Sequence, residues 1–226
     1  MAKETNELTF TKDQLKAINH DSGPILVVAG AGTGKTAVIT SRISRLILTK
    51  KAKPEEVLAL TFTDKAASEM QQRVDEMLPY GFLDTQIMTF HSLAEKLLRE
   101  FALDIGLSTE FTLLSDIQQT IILQEVLNRA DFSYFSPQHD PFDFIDGIKN
   151  AISRLKDEGI DSLAFEKSLK KQMPNVGEDM AAPMRDLAAI YTKYSSLMQS
   201  KNSLDFGDLM IKLQHLLKTR ESIRQQ

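Results

Sequence analysis

A short apolar run followed by a glycine-rich turn constrains the fold of this chain more than any other feature. Residues 25–30 read ILVVAG, an apolar and β-branched stretch that predicts a buried strand of a parallel sheet. Residues 31–36 read AGTGKT, and the helix predicted after them has one apolar face, formed by Val38, Ile39, Ile43, Leu46 and Ile47. A strand, a glycine-rich turn and a helix in this order are typical of a loop that holds phosphate groups.

The residue types of this loop suit a nucleoside triphosphate. Its glycines let the main chain curl tightly and point N–H groups at phosphate oxygens, and the start of the helix adds partial positive charge. Lys35 offers an ammonium group to the β- and γ-phosphates, and the Thr36 hydroxyl suits Mg²⁺. We predict that ATP and Mg²⁺ bind here, with Lys35 and Thr36 as catalytic residues and Thr36 as the metal ligand. The residues predicted to hold the nucleotide are Ala29, Gly30, Ala31, Gly32, Thr33, Gly34, Lys35 and Thr36. The alternative is a glycine-rich turn without a ligand.

Further strand and helix signals place this loop in an α/β domain. Residues 57–62 (VLALTF) and 86–90 (QIMTF) predict two more strands, with a helix between them that buries Ala67, Met70, Val74 and Met77. Strand, helix, strand, helix and strand in this order favour a parallel sheet. From about Ser92 to Lys201 the pattern is helical, which predicts an all-helical region.

Composition restricts the class of protein. The chain has 226 residues, of which 42% are hydrophobic and 26% charged, as in ordinary soluble globular proteins. No apolar run reaches the roughly 18 residues that span a bilayer, so we expect no membrane contact. The absence of cysteine excludes disulfides and thiolate chemistry and favours a cytoplasmic protein. A formal charge of -4 means that any DNA binding must rely on a local surface.

Several segments together resemble the N-terminal part of a superfamily 1 DNA helicase of the UvrD/Rep/PcrA type. The similar segments are FTKDQLKAI (10–18), AGAGTGKT (29–36), LALTFTDKAASEM (58–70), TFHS (89–92) and NSLDFGDLM (202–210). The helical middle, PFDFIDGIKNAISRLKDEGI, also resembles the inserted helical subdomain of that family. Each segment is short, but their order and spacing extend over nearly the whole chain.

The resemblance implies a RecA-like α/β motor domain, with a parallel sheet and a phosphate loop, into which an all-helical subdomain is inserted. It assigns residues 1–92 to the first part of the motor domain, 93–201 to the helical subdomain and 202–226 to the return into the motor domain. It further implies that Gln14 contacts the adenine base. The residues that it places on single-stranded DNA are Phe62, Thr63, Lys65, Thr89 and His91.

Some of these positions have plainer interpretations. Phe62, taken alone, fits a core residue at the end of an apolar strand, and His91 fits a helix cap equally well. Two positions depart from the family pattern, because Asp64 stands where asparagine is usual and Gly207 where aspartate is usual. The carboxylate of Asp64 would lie near the DNA phosphates, which weakens the assignment of the residues around it as DNA contacts.

The resemblance also indicates parts that this sequence lacks. Hydrolysis by such motors needs an Asp-Glu pair after an apolar strand and arginines near the transferred phosphate. No apolar run followed by Asp-Glu occurs after Asp205, and Asp157 and Glu158 lie at a polar helix end. We therefore expect a fragment without its second motor domain, inactive alone as an ATPase or helicase. We also expect it to leave an unpaired sheet edge and exposed apolar helix faces, and therefore to self-associate or to be only marginally stable.

The leading function is therefore the ATP- and single-stranded-DNA-binding portion of an ATP-driven helicase, with the 3′-to-5′ polarity that the family implies. A non-catalytic nucleotide-binding or protein-interaction module is an alternative of a different class. A small-molecule kinase is a third, but it would need an acceptor-site base, and neither Asp205 nor Asp208 has an obvious partner for that role.

Overall fold

The computed structural model describes residues 9–79, 85–129, 131–135 and 141–225. The described chain is mostly helical and contains two small parallel sheets. Its internal contacts divide it into two compact units, Met1–Phe90 and His91–Gln226. The sequence analysis predicts three segments, with boundaries at 92/93 and 201/202. The contacts group the residues after 201 with the helices before them, and the three-part division stays a prediction. No described helix combines the length and the apolar character that a membrane span requires.

The first unit contains an α/β arrangement. Its described helices are α1 (Lys12–Asn19), α2 (Lys35–Leu48) and α3 (Asp64–Met77), and its described strands are β1 (Leu58–Thr61) and β2 (Gln86–Thr89). The two strands pair in parallel, with Leu58 opposite Gln86 and Thr61 opposite Thr89. This pairing confirms the second and third of the predicted strands, with the predicted helix between them.

Residues 25–30 do not form the buried strand that their sequence predicts. No strand is assigned there, and Leu26 is 87% exposed. An apolar, β-branched sequence favours an extended main chain, but a strand also needs a neighbour that accepts and donates main-chain hydrogen bonds. Within the described part of the first unit, β1 and β2 pair with each other, and no strand lies beside residues 25–30.

Helix caps follow the sequence closely. Thr11 caps α1, Thr63 caps α3, and Ser115 and Asp161 cap two helices of the second unit through their side-chain oxygens. These residues satisfy main-chain N–H groups that have no partner inside a helix. The sequence also favours a cap at Asp140, directly before Pro141, but that residue lies outside the described part of the chain.

Two small apolar clusters hold the first unit together. Ala17 and Ile18 of α1 pack against Val38 of α2. The second cluster joins α2 to α3 and comprises Ile43, Ile47, Met70, Val74 and Leu78. These clusters bury the side of α2 that the sequence predicts to be apolar, although Ile39 remains largely exposed.

In its described residues, the second unit contains helices and one short strand pair. Its described helices are α4 (Phe90–Glu100, of which the first residue belongs to the first unit), α5 (Asp116–Asn128), α6 (Pro141–Asp157), α7 (Ser162–Gln172), α8 (Glu178–Ser200), α9 (Phe206–Thr219) and α10 (Glu221–Arg224). A parallel pair of β3 (Thr112–Leu113) and β4 (Ser203–Leu204), which the sequence does not predict, joins distant parts of the chain. One core packs α5, α6 and α8 together, and another packs α4 and α9.

A buried ion cluster links α6 to the start of α9. The Lys156 ammonium lies 2.7 Å from Oδ2 of Asp205 and 2.7 Å from Oδ1 of Asp208. The Tyr194 hydroxyl donates to Oδ2 of Asp205 at 3.0 Å. A Cβ atom at Gly207 would lie 2.7 Å from Cδ and 2.8 Å from Cβ of Lys156. The departure from the family at Gly207 therefore makes room for the stem of this lysine.

Candidate functional site

Residues 29–36, here called the phosphate loop, have a main chain that only glycine adopts easily at two positions. Gly32 and Gly34 have φ angles of +75° and +81°, in the left-handed region that L side chains avoid. Helix α2 begins directly afterwards, and Gly34 occupies its N-cap position without a side-chain cap. The N–H groups of the first turn of α2 are therefore left without a capping side chain, as in sites that bind anions.

Lys35 reaches back across the loop. Its ammonium group donates to the main-chain oxygen of Gly30 at 2.5 Å and to that of Ala29 at 3.1 Å. The hydroxyl of Thr33 also donates to the Gly30 oxygen, at 2.8 Å, which closes the turn. The positive charge thus lies against carbonyl groups, which are weaker partners than the oxygens of a phosphate would be. Thr36 follows in the first turn of α2, half-buried.

Helix α1 forms one wall of a cleft beside the phosphate loop. The cleft has a volume of about 850 Å³, which falls in the range of small-molecule sites. Gln14, Gly30 and Lys35 contribute polar lining, and the apolar lining includes Ile25, Val27, Val28 and Ile39. A charged and polar end next to an apolar wall suits a molecule that carries both phosphates and a heterocyclic base.

Mg²⁺ fits this site as a companion of a nucleotide. Within the described part of the chain, no group of three or more His, Asp or Glu side chains is arranged to hold a metal ion. Mg²⁺ in nucleotide sites usually takes one or two protein oxygens, with waters and phosphates as the other ligands. The Thr36 hydroxyl is of the right type to be such a protein ligand.

Phe62 lies on the surface, which makes its interpretation as a core residue wrong. Its side chain is 92% exposed and follows the last residue of β1. Next to it, the hydroxyl of Thr63 caps α3 by accepting from the N–H of Ala66 at 3.2 Å, and Lys65 is exposed. Thr89 differs from these, because it is only 5% exposed within β2. Its hydroxyl is therefore poorly placed to contact a DNA backbone in this structure.

Phe90 is a surface aromatic that the sequence interpretation missed. It follows β2 as Phe62 follows β1, and the strand ends Thr61 and Thr89 are register partners. Phe90 is 49% exposed. Two exposed phenylalanines therefore stand directly after neighbouring strand ends, at the same edge of the small sheet. The signal that could have revealed it is its place at the carboxyl end of a predicted strand, since ligands of α/β proteins gather at these ends.

His91 belongs to the second unit. It is the second residue of α4 and so does not occupy a cap position. Its ring lies edge-on to that of Phe206, with 5.6 Å between the ring centroids and 74° between the planes. This contact fixes the imidazole on the surface of its own unit.

The candidate kinase base loses support from the structure. Asp205 and Asp208 both pair with Lys156, and burial raises the pKa of Asp208 above its ordinary value. Burial also raises the pKa of Tyr194, whose hydroxyl donates to Asp205. Carboxylates that are held in an internal ion cluster are poorly placed to accept a proton from a bound substrate.

Curated relatives of this chain carry helicase names. A protein named "Probable DNA helicase II homolog" from Rickettsia conorii is 37% identical over 209 residues, which cover 90% of this chain and 29% of the relative. A protein named "ATP-dependent DNA helicase PcrA" from Leuconostoc citreum is 32% identical over 212 residues, 93% of this chain and 26% of the relative. One of the same name from Staphylococcus aureus is 34% identical over 199 residues, 88% of this chain and 25% of the relative. The chain therefore spans less than a third of the length of these relatives.

The match to a protein family extends over almost the whole chain. Residues 10–226 match the family described as "UvrD/REP helicase N-terminal domain". The matched range contains the phosphate loop, residues 10–90 of the first unit, the whole second unit and the segments that carry the resemblance in the sequence. The chain therefore belongs to the UvrD/REP helicase N-terminal domain family.

Proposed function

We propose that this chain is the ATP- and single-stranded-DNA-binding portion of an ATP-driven DNA helicase. The observation that carries the proposal is the phosphate loop, in which left-handed glycines precede an uncapped helix start and Lys35 lies across the turn. Family membership and the names of the relatives support the choice of a helicase over other nucleotide-binding proteins. The whole protein would then use a RecA-like motor domain and move with the 3′-to-5′ polarity that the resemblance implies.

Triphosphate binding would exchange partners inside the loop. Phosphate oxygens would replace the Ala29 and Gly30 carbonyls as acceptors of the Lys35 ammonium, and the N–H groups at the start of α2 would donate to the same phosphates. A bound Mg²⁺ would neutralise phosphate charge, with the Thr36 hydroxyl as its protein ligand. The apolar wall of the cleft would cover the base.

We further propose that the chain alone binds nucleotide without turning it over. Of the described residues that line the cleft, Asp13 is the one with a carboxylate, and it forms an ion pair with Lys16 at 2.9 Å on the surface. Hydrolysis needs a base that orients and activates water close to the γ-phosphate. A carboxylate paired at the edge of the cleft is a poor candidate for that role.

DNA binding would use the exposed aromatic residues at the edge of the small sheet. Phe62 and Phe90 offer rings on which any base can stack, and Lys65 and Thr63 offer polar groups for the backbone. Such a surface binds single strands without reading their sequence. The acidic overall charge of the chain makes this local surface the proposed source of affinity.

Isothermal titration calorimetry with Mg-ATP tests nucleotide binding. Loss of a charge-assisted hydrogen bond in Lys35→Ala should weaken binding about 10-fold or more. Lys167→Ala, which removes an exposed lysine of α7, is the matched control and should bind like the wild type. Wild-type protein that releases no heat with Mg-ATP would refute the nucleotide function. ATP turnover that Lys35→Ala abolishes would refute the inactive state of the chain.

Fluorescence anisotropy with a labelled oligothymidine tests the DNA surface. Phe62→Ala and Phe90→Ala should each weaken binding about 5-fold or more, because stacking on an aromatic ring contributes about 1–3 kcal/mol per base. Tyr134→Ala removes an aromatic side chain of similar exposure, 50%, from the second unit and should leave binding unchanged. Equal effects of all three variants would contradict the assignment.

Self-association through residues 25–28 also stays a proposal. Extended apolar main chain at the surface is a template for pairing with another strand. Val28→Lys should then shift the sedimentation coefficient towards the monomer at a given concentration, and Lys167→Ala should not. A wild-type monomer at all concentrations would contradict it.

A further inference from the structure

We propose that Gln14 is a positioning residue of the phosphate loop. Its amide holds the peptide group between Thr33 and Gly34, and so contributes to the affinity for a triphosphate whatever base is attached. This inference rests on the proposed nucleotide-binding function and adds a role to the base contact that the family resemblance implies for the same residue.

The carboxamide of Gln14 is engaged at both of its ends. Its oxygen accepts from the main-chain N–H of Thr11 at 2.7 Å, and its nitrogen donates to the main-chain oxygen of Thr33 at 3.1 Å. An N–H requires an oxygen as acceptor, and a carbonyl requires an N–H as donor, so the two partners fix the orientation of the amide. A Cβ atom at Gly34 would lie 3.3 Å from the amide nitrogen. The amide therefore lies against the main chain where the loop turns into α2.

The held peptide group matters because it is planar. In a trans peptide the C=O and the following N–H point in opposite directions. A Thr33 carbonyl directed at Gln14 therefore fixes the direction of the Gly34 N–H, one of the groups that a phosphate loop offers to its ligand. Gly34 has a φ angle of +81° and no side chain that restrains its main chain. A contact from outside the loop, such as that of Gln14, can therefore define the conformation of this junction.

Helix α1 is a firm support for this contact. Its residues Ala17 and Ile18 pack against Val38 of α2. Arg42 of α2 donates from Nη1 to the main-chain oxygen of Ala17 at 2.8 Å. Because α1 packs against the helix that follows the phosphate loop, Gln14 connects the loop to an element that is itself held on α2.

Calorimetry with two ligands separates loop positioning from base contact. The ligands are Mg-ATP and inorganic tripolyphosphate with Mg²⁺, which has the phosphates but no base. Loss of one hydrogen bond in Gln14→Ala should weaken the binding of tripolyphosphate about 2- to 10-fold and that of ATP by at least the same factor, because ATP also loses any contact of Gln14 with its base. Hydrogen exchange of ligand-free protein should also become faster in peptides that cover residues 29–36.

Gln14→Glu is the second variant, because it keeps α1 capped. Glutamate fills the same place in a capping box as glutamine, so the contact with Thr11 remains, but a carboxylate cannot donate to the Thr33 oxygen. Gln118, which accepts from the N–H of Ser115 in the capping box of α5, supplies the matched control. Gln118→Glu should bind both ligands like the wild type, whereas Gln14→Glu should bind both less tightly and exchange faster in the loop.

Each outcome decides the proposal. Weaker binding of tripolyphosphate in Gln14→Ala, with faster loop exchange in both Gln14 variants, supports it, and any additional loss for ATP measures the base contact. Weaker ATP binding with unchanged tripolyphosphate binding would show a base contact alone and overturn it, as would wild-type affinity for both ligands. If Gln14→Ala does not fold, wild-type loop exchange in Gln14→Glu overturns it. Wild-type protein that binds neither ligand would reject the proposed function itself, and this inference with it.

Discussion

The two units of the chain differ in what they bury. In the second unit, α6 and α9 enclose an ammonium group and two carboxylates, and these charges satisfy one another. In the first unit, residues 25–28 leave apolar side chains in solvent, and the main chain of the phosphate loop holds a lysine against its own carbonyls. The second unit thus pairs its internal charges with one another, whereas the first leaves a run of apolar side chains and the main chain of a loop open.

This difference indicates where ligands are to be sought. A buried ion cluster is a structural feature, because its groups already have partners that are better placed than any solute. Open main chain, an exposed Phe62 and a cleft beside Lys35 are surfaces on which a ligand gains contacts. The hydrogen bonds that a phosphate would displace there, from Lys35 to two main-chain carbonyls, are weaker than those it would form. The proposed nucleotide contacts and the exposed aromatic DNA contacts accordingly lie in the first unit.

The largest expected effect is that of Lys156→Met on stability. Removal of the ammonium leaves Asp205 and Asp208 buried without a cation, which should lower the free energy of unfolding by about 3–5 kcal/mol. Urea denaturation followed by far-ultraviolet circular dichroism measures it. A loss below about 1 kcal/mol would mean that the second unit does not depend on its internal charges.

Asp208→Asn is the control for this cluster. Burial raises the pKa of Asp208, so its contribution to stability is present below about pH 4 and is lost as the pH rises through the raised value. The variant should lack this part of the pH dependence and keep the pair of Lys156 with Asp205. A loss of stability at pH 7 equal to that of Lys156→Met would contradict this account.

The next comparison sets Leu209 against Leu26. Leu209 of α9 is fully buried, and Leu209→Ala should cost about 2–5 kcal/mol because it removes packed atoms and leaves a cavity. Leu26 is 87% exposed, and Leu26→Ala should change stability by less than about 0.5 kcal/mol. Both follow from urea titrations at equal protein concentration. A large loss in Leu26→Ala would show that residues 25–28 are covered in solution.

The sequence predicted what depends on neighbouring residues. The turn at residues 29–36, two of the three strands and the helix between those two follow from local patterns, because residues only a few positions apart set them. The strand at residues 25–30 was wrong because strand pairing needs a distant partner. The pair β3 and β4 went unpredicted for the same reason.

The candidate site was predictable to the same extent. Glycines and a lysine in sequence predicted the phosphate loop, but the contact of Gln14 with Thr33 crosses 19 positions and left no pattern. The local pattern around Phe62, taken alone, did not indicate its exposure, because an aromatic residue at the end of an apolar strand is usual in a core, and only the family resemblance placed it at a ligand. Lys156 and Asp205 are 49 positions apart, so their pairing was not predictable from the sequence either.

Removal of one helix N-cap in each unit tests whether the two units unfold independently. Ser115→Ala in α5 and Thr63→Ala in α3 each remove a side chain that accepts from the first turn of a helix. Each should cost about 1 kcal/mol, and each should speed hydrogen exchange in its own unit only. Mass spectrometry of the exchanged peptides measures both effects. Faster exchange in the opposite unit would show that the two units unfold together.

The smallest effect is expected for Asp21 at the surface of the first unit. Hydrogen bonds from Lys51 and then Arg45 lower the pKa of this carboxyl to about 2, against about 3.9 in an unfolded chain. Its contribution is therefore present above about pH 4 and is lost as the pH falls towards 2. Asp21→Asn should lower the urea midpoint slightly at pH 6 and not at pH 2. Because the pair is exposed, 1 M salt, which reduces the screening length to about 3 Å, should remove most of the difference. A difference in urea midpoint that persists in 1 M salt would mean that hydrogen-bond geometry, and not charge, connects Asp21 to α2. It would also mean that this part of the surface of the first unit is more rigid than its exposure indicates.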